Sequence, residues 1–113
     1  MQLRNCTTGE IVVERIARAT TPWDRALGYL ARRAVATSEG LWFEHCSLVH
    51  TLGMRARIDV VFVDAAGRIV RVVARARRNR VFAGGACAVA ALELAAGVAD
   101  RHALAIGDRL ALE

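Results

Sequence analysis

A six-residue and nearly continuous apolar run, Ile58 to Val63, constrains the fold of this 113-residue chain more than any other feature. So short an apolar run, bounded by turn signals, is typical of a strand that is buried on both faces. The segment Asp64-Ala65-Ala66-Gly67 follows as a turn, with glycine where a positive φ would be required. Arg68 to Ala76 can then return as the hairpin partner of the run. The sequence therefore predicts a buried central hairpin.

Other segments predict further strands. Gln2 to Asn5 and Ile11 to Ala17 flank the turn-like Thr7-Thr8-Gly9, and their alternation indicates a second hairpin. Leu41-Trp42-Phe43 indicates a strand, and Arg109 to Leu112 indicates a last strand after the Gly107-Asp108 turn. We therefore expect a mainly β domain.

Two segments favour helix, and one is ambiguous. Thr21-Pro22 is typical of a helix start, and the spacing of Trp23, Leu27 and Leu30 predicts a helix over about 22 to 33. Val98 to His102 can form one or two helical turns after Gly97. The region 86 to 96 favours helix by propensity, yet its residues also alternate as in a strand.

Length and composition bound the class of protein. A chain of this length fits one domain over residues 1–113, with enough buried surface for an ordinary core. The longest uncharged stretch, 81–92, is well short of the about 20 residues that cross a bilayer, so we expect no membrane partner. The N-terminus predicts no secretory signal. Three widely spaced cysteines favour free thiols in a reducing, cytoplasmic compartment.

The net charge of +5 comes entirely from arginine, because all sixteen basic residues are Arg. Five of them fall within ten residues: Arg71, Arg75, Arg77, Arg78 and Arg80. If a strand continues through this segment, residues 71, 75 and 77 line one face as a basic stripe, which suits the phosphates of nucleic acid. An arginine-rich strand is also typical of a solvated sheet edge that resists edge-to-edge pairing, and we favour that interpretation.

The densest group of polar residues lies between His45 and Asp59, and it predicts a binding site. Asp59 and Arg55, or Arg57, can form a charged lip at an apolar pocket. The pocket would be made of Trp42, Phe43, Met54 and Phe62, with His50 and Thr51 nearby. Alternatively, these aromatic residues are simply core and Asp59 caps a loop.

A catalytic interpretation of the same segment is weaker. Cys46 as nucleophile, His50 as base and Asp59 as its orienter would be a thiol site, yet the sequence offers no oxyanion donors. The cysteine and histidine spacings match no metal framework, so we expect no metal and no cofactor. Glu93 is the one carboxylate in a largely apolar closing segment, and we expect it to pair with an arginine of the central hairpin. That role is structural first, and it would be functional only with a raised pKa.

Four ordered blocks resemble the domain-of-unknown-function family 192. They are Gly28-Tyr29-Leu30-Ala31-Arg32, Glu39-Gly40-Leu41-Trp42-Phe43, His50-Thr51-Leu52-Gly53-Met54-Arg55 with 58–64, and Leu92-Glu93-Leu94-Ala95-Ala96-Gly97 with Gly107-Asp108. The chain departs from the commoner family block at three positions, where Gly53 replaces Trp, Arg55 replaces Lys and Ala56 replaces Asn. The resemblance implies a small β-barrel or sandwich with one or two short helices, and it implies strand over 88–94. It implies no established reaction.

We therefore expect a non-catalytic domain that binds a small molecule or a protein partner through the region from His50 to Asp59. Nucleic-acid association through Arg71 to Arg80 is the second hypothesis. A cysteine-dependent enzyme is the third.

Overall fold

The computed structural model describes residues 1–19, 29 and 34–113 and has a mainly β architecture. The elements are β1 (Leu3–Asn5), β2 (Glu10–Val13), β3 (Arg15–Arg18), β4 (Glu39–Glu44), β5 (Leu48–His50), β6 (Ile58–Val63), β7 (Ile69–Val73), β8 (Val81–Ala83), β9 (Ala90–Ala95), α1 (Val98–Arg101) and β10 (Leu110–Leu112). The strands lie in three sheets, with orders β10-β1-β2, β3-β4-β9-β6-β7 and β5-β8.

The predicted buried strand is β6, which lies inside the five-stranded sheet. It pairs antiparallel with β9 on one edge and with β7 on the other. All six of its residues are buried, because both faces of the sheet are covered by other elements. The turn after it has Gly67 at φ 81°, a conformation that favours glycine. The central hairpin is therefore confirmed.

One face of the five-stranded sheet packs against the three-stranded sheet, as in a β-sandwich. Val61 and Val63 of β6 and Leu92 of β9 contribute to this core from one side, and Leu3 of β1 and Leu110 of β10 contribute from the other. Large apolar side chains from both sheets interdigitate here, which is the usual basis of sandwich stability. The predicted mainly β, sandwich-like fold is confirmed.

The opposite face is covered by a two-stranded ribbon, β5–β8. Ile58, Val60 and Phe62 of β6 pack in this second core with Val49 of the ribbon and with Met54. Adjacent residues of β6 therefore serve different cores, which follows from the alternation of side chains along a strand. In the described part of the chain no helix is long and apolar enough to cross a bilayer.

The ambiguous region forms a strand, as the family resemblance implies. β9 pairs with β4 on one edge and with β6 on the other, so its backbone groups are satisfied by the sheet. Tertiary pairing thus overrides the helix propensity of its Ala, Leu and Glu residues.

The remaining expectations agree with the structure in part. The hairpin β1–β2 forms, yet the predicted second arm breaks at Glu14, and β3 turns away to pair in parallel with β4. Helical turns at α1 and the last strand β10 are confirmed. The helix expected over about 22 to 33 lies outside the described residues, apart from Tyr29.

Candidate functional site

Two loops pack together beside the ribbon, and we call residues 50–58 and 74–80 the double loop. Thr51 joins its halves, although the halves are more than 20 residues apart in sequence. The buried Thr51 hydroxyl donates to the Arg77 carbonyl oxygen at 2.6 Å and accepts from the Arg80 N–H at 3.1 Å. The Thr51 backbone N–H also donates to the Arg80 carbonyl oxygen at 2.8 Å. One side chain thus satisfies polar groups of both loops.

Asn79 forms the second connection within the double loop. Its backbone N–H donates to the Thr51 carbonyl oxygen at 3.1 Å. Its side-chain oxygen accepts from the Gly53 N–H at 3.0 Å. Asn79 itself has φ 56°, a left-handed conformation that asparagine adopts more readily than most residues. The double loop is therefore held by specific hydrogen bonds at its centre.

Asp59 lies in the sandwich core, where its carboxylate anchors backbone groups. One oxygen accepts from the Arg75 N–H at 2.7 Å, and the other accepts from the N–H groups of Gly97 at 3.1 Å and Ala99 at 2.8 Å. The residue is fully buried. The structure therefore does not place Asp59 at the charged lip of a pocket. Its carboxylate fixes the end of β7 and the start of α1.

The predicted apolar pocket does not form, because its residues belong to different cores. Trp42 packs in the core between the two larger sheets. Met54 and Phe62 pack in the core beneath the ribbon. The five-stranded sheet separates these two groups. These large side chains therefore form part of the two cores, as the alternative interpretation of the sequence expected.

The expected basic strand is shorter than the sequence indicated. β7 ends at Val73, so among the five arginines only Arg71 lies on a strand. Arg75 has φ 46°, which no β-strand accommodates, and its N–H is held by Asp59. The other three lie in the double loop: Arg77, Arg78 and Arg80.

The double loop nevertheless concentrates positive charge. It carries six exposed arginines and no acidic residue: Arg55, Arg57, Arg75, Arg77, Arg78 and Arg80. Some of their guanidinium groups are used internally, since Arg75 pairs with Asp100 at 2.6 Å and Arg78 donates to the Arg55 carbonyl oxygen at 2.6 Å. Three others, those of Arg55, Arg57 and Arg77, form no hydrogen bond or ion pair within the described part of the chain.

Three exposed apolar side chains lie in the ribbon and the double loop. Leu48 is 60% exposed, Leu52 is 49% exposed and Val81 is 56% exposed. In the ribbon His50 pairs with Val81, so both lie on its outer face, whereas Val49 faces the core. The sequence prediction had included His50 and missed the three apolar residues. The alternation of Leu48 and His50 around Val49 was the signal that could have revealed this face.

Four residues of the binding site predicted from the sequence lie in the double loop. His50, Thr51, Met54 and Arg55 all lie in it, Thr51 and Met54 buried and the other two exposed. The structure thus brings together the region from His50 to Arg55 and the arginines of residues 74–80, which the sequence treated as rival sites. Asp59 and Trp42 lie in the core instead.

Cys46, His50 and Asp59 do not assemble into the hypothetical thiol site. The Cys46 sulfur donates to the Leu48 carbonyl oxygen at 3.2 Å, and His50 is exposed on the ribbon. The buried Asp59 carboxylate accepts its hydrogen bonds from backbone groups, not from that imidazole. Among residues 1–19, 29 and 34–113, no three His, Cys, Asp or Glu side chains are grouped to hold a metal ion.

Glu93 is buried on β9, on the face that packs beneath the ribbon. Its neighbours across the sheet are Leu41 and Val60, so its surroundings are largely apolar. Burial raises the pKa of Glu93 to about 7, and a hydrogen bond from the Tyr29 backbone N–H partly opposes this rise. No ion pair from Glu93 to an arginine is seen among the described residues, contrary to the expectation from sequence.

Comparison with known proteins finds two solved structures with the same fold and one matching family model. A solved structure of a protein of unknown function from Novosphingobium aromaticivorans is 19% identical, with a TM-score of 0.81, and the match covers 98% of this chain and 82% of that one. A second, described as a "putative transcription regulator" from Sinorhizobium meliloti, is 22% identical, with a TM-score of 0.81 and coverage of 97% and 89%. No curated protein matches the chain. The model of DUF192, described as an "Uncharacterized ACR", matches residues 3–112.

Proposed function

The chain belongs to the DUF192 family, whose description states no activity, and from this premise we propose that it is a binding domain for a partner protein. The double loop and the outer face of the ribbon form the docking surface. The partner contributes a segment in which acidic and apolar side chains lie side by side.

The observation that carries this proposal is that the double loop and the ribbon together hold three guanidinium groups without a described partner and several exposed apolar side chains. Arg55, Arg57 and Arg77 are exposed and have no partner among the described residues. Leu52 lies within the same loops, and Val81 directly follows them. Protein interfaces are enriched in arginine, and they combine apolar contacts with complementary charge. An acidic and apolar segment satisfies both kinds of group at once.

Nucleic acid is the second candidate, and the same arginines favour it. A phosphate backbone would bind the guanidinium groups, but it would make no apolar contact with the exposed leucines and valine. Single-stranded binding also relies on aromatic platforms. Phe82 is the aromatic residue of the ribbon, and it is half-buried, with the Arg71 guanidinium 6.0 Å from its ring centre. The regulator from Sinorhizobium meliloti shares the fold, and at 22% identity it adds no argument beyond that.

A reducing compartment fits the proposal. Cys6, Cys46 and Cys87 are all free thiols, and Cys6 and Cys87 are exposed. Exposed thiols persist in the cytoplasm, where they are kept reduced. We therefore propose that the domain and its partner meet in the cytoplasm.

The test is fluorescence anisotropy with defined probes. The first probe is a labelled peptide of alternating Asp or Glu and Leu, the second is an oligoglutamate of equal charge, and the others are single-stranded and duplex DNA. We expect the mixed peptide to bind best. Two variants should weaken it by about tenfold each: the triple Arg55→Gln, Arg57→Gln, Arg77→Gln, and the double Leu52→Ser, Val81→Thr.

A matched control separates local recognition from bulk charge. Arg68, Arg101 and Arg109 are exposed and lie outside the double loop. Replacing all three with glutamine removes the same amount of charge and should leave peptide binding unchanged. Equal loss with this control would refute a specific surface. Tighter binding to DNA with a steep salt slope, unaffected by the apolar double variant, would refute the protein partner and favour nucleic acid instead.

A further inference from the structure

A cleft of about 560 Å³ opens at one end of the sandwich, away from the double loop. Trp42 and Ala90 line it from the five-stranded sheet, and Leu110 and Leu112 of β10 line it from the covering sheet. The turn at 64–67 forms another wall. This volume falls in the range of small-molecule sites, and such sites are commonly found at the mouths of β structures.

Part of the cleft lining consists of residues with short side chains or none. Ala90 of β9 and the turn residues Ala65, Ala66 and Gly67 all line it. At Gly67 the turn approaches β10 closely, since a Cβ there would lie 2.7 Å from the Leu110 carbonyl oxygen. The adjoining core, in contrast, is filled by larger aliphatic side chains such as Val61, Val63 and Leu92.

Among the described residues that line the cleft, two carry carboxylates and one carries a guanidinium group. Arg18 pairs with Glu44 at 3.4 Å, so these two charges offset each other. Asp64 also lines the cleft. One of its oxygens accepts from the N–H groups of Ala66 and Arg68, and the second accepts no hydrogen bond from a described residue. Asp64 forms no ion pair with a described residue.

We propose that this cleft binds a small planar aromatic molecule that carries a cationic amine or amidine group. Its ring would contact Val89, which is 41% exposed, the half-buried Leu112 and the small exposed part of Trp42. Its charged group would lie at the free oxygen of Asp64, which offers a charge-assisted hydrogen bond. The site shares no residue with the double loop, so each proposal can be tested independently of the other.

Binding can be tested with three probes of one shape and different charge: benzamidine, benzamide and benzoate. Saturation-transfer NMR reports contact, and titration of Trp42 fluorescence in a Trp23→Phe background, which leaves Trp42 as the single tryptophan, reports location. We expect millimolar binding of benzamidine, weaker binding of benzamide and none of benzoate.

Two substitutions localise the effect. Ala90→Leu fills the cleft and should abolish benzamidine binding, whereas Ala105→Leu, at an exposed site elsewhere, should not. Asp64→Asn keeps an acceptor for the turn and should weaken benzamidine by about tenfold, to the level of benzamide. Equal binding of the three probes, or benzamidine binding that survives Asp64→Asn and Ala90→Leu, would overturn the proposal.

Discussion

Replacing Glu93 with glutamine should remove a large pH dependence of stability. The Glu93 carboxyl is buried between Leu41 and Val60, and its pKa is raised to about 7 by this burial. Glutamine has nearly the same shape, and its side-chain oxygen can still accept from the Tyr29 N–H. It cannot ionise, so the variant reports the folding free energy without the cost of burying a charge.

The expected magnitude follows from the two pKa values. In the unfolded chain the Glu93 carboxyl ionises near 4.5, and in the folded chain near 7. Below the first value both states are protonated, and burial is not penalised. Between the two values the unfolded state loses its proton first, so the folded state becomes less stable as pH rises. The full difference is about 3 kcal/mol, and it is reached above about pH 7.

The assay is urea unfolding of the wild type and of Glu93→Gln across this pH range, followed by tryptophan fluorescence. The difference in free energy of unfolding between the two proteins should grow in favour of the variant from about pH 4.5 to pH 7 and then level off. Glu14→Gln, at an exposed site, should show no such trend. A constant difference across the range would show that Glu93 ionises normally and would refute the reasoning.

Two further predictions concern packing and hydrogen bonding. Thr51→Val should lower the free energy of unfolding in urea by about 1–3 kcal/mol, because the hydroxyl that joins the double loop is lost. Thr37→Val, at an exposed site, should change it little. Gly84→Ala should destabilise by a similar amount, since the new Cβ would lie 2.5 Å from Phe62 and from Ala88. A gain in stability, the usual effect of replacing glycine at an ordinary φ, would contradict the second prediction.

The sequence predicted the parts of the fold that depend on local signals. The apolar run from Ile58 to Val63 required burial on both faces, and Gly67 marked a turn that needs a positive φ. Alternation identified the hairpin β1–β2. These features follow from side-chain polarity and backbone sterics over a few residues, so they can be read without knowing the neighbours.

The candidate site was predicted only in part. Arg71 to Ala76 alternates like a strand, yet β7 ends at Val73 because the distant Asp59 holds the Arg75 N–H in a turn. The expected pocket failed for a similar reason, since Trp42 and Phe62 face opposite sides of one sheet. Neither outcome can be seen from a segment alone.

What the sequence determined by itself is a mainly β chain with a buried central strand and an arginine-rich segment. Tertiary structure decided where that segment lies and what it adjoins. Thr51 joins loops that are 26 residues apart, so the arginines of both loops and the exposed Leu52 belong to one pair of loops. Short side chains at Ala90 and at the turn 64–67 left a cleft only because two sheets meet around them. Such contacts depend on the packing of distant segments, so local propensity does not predict them.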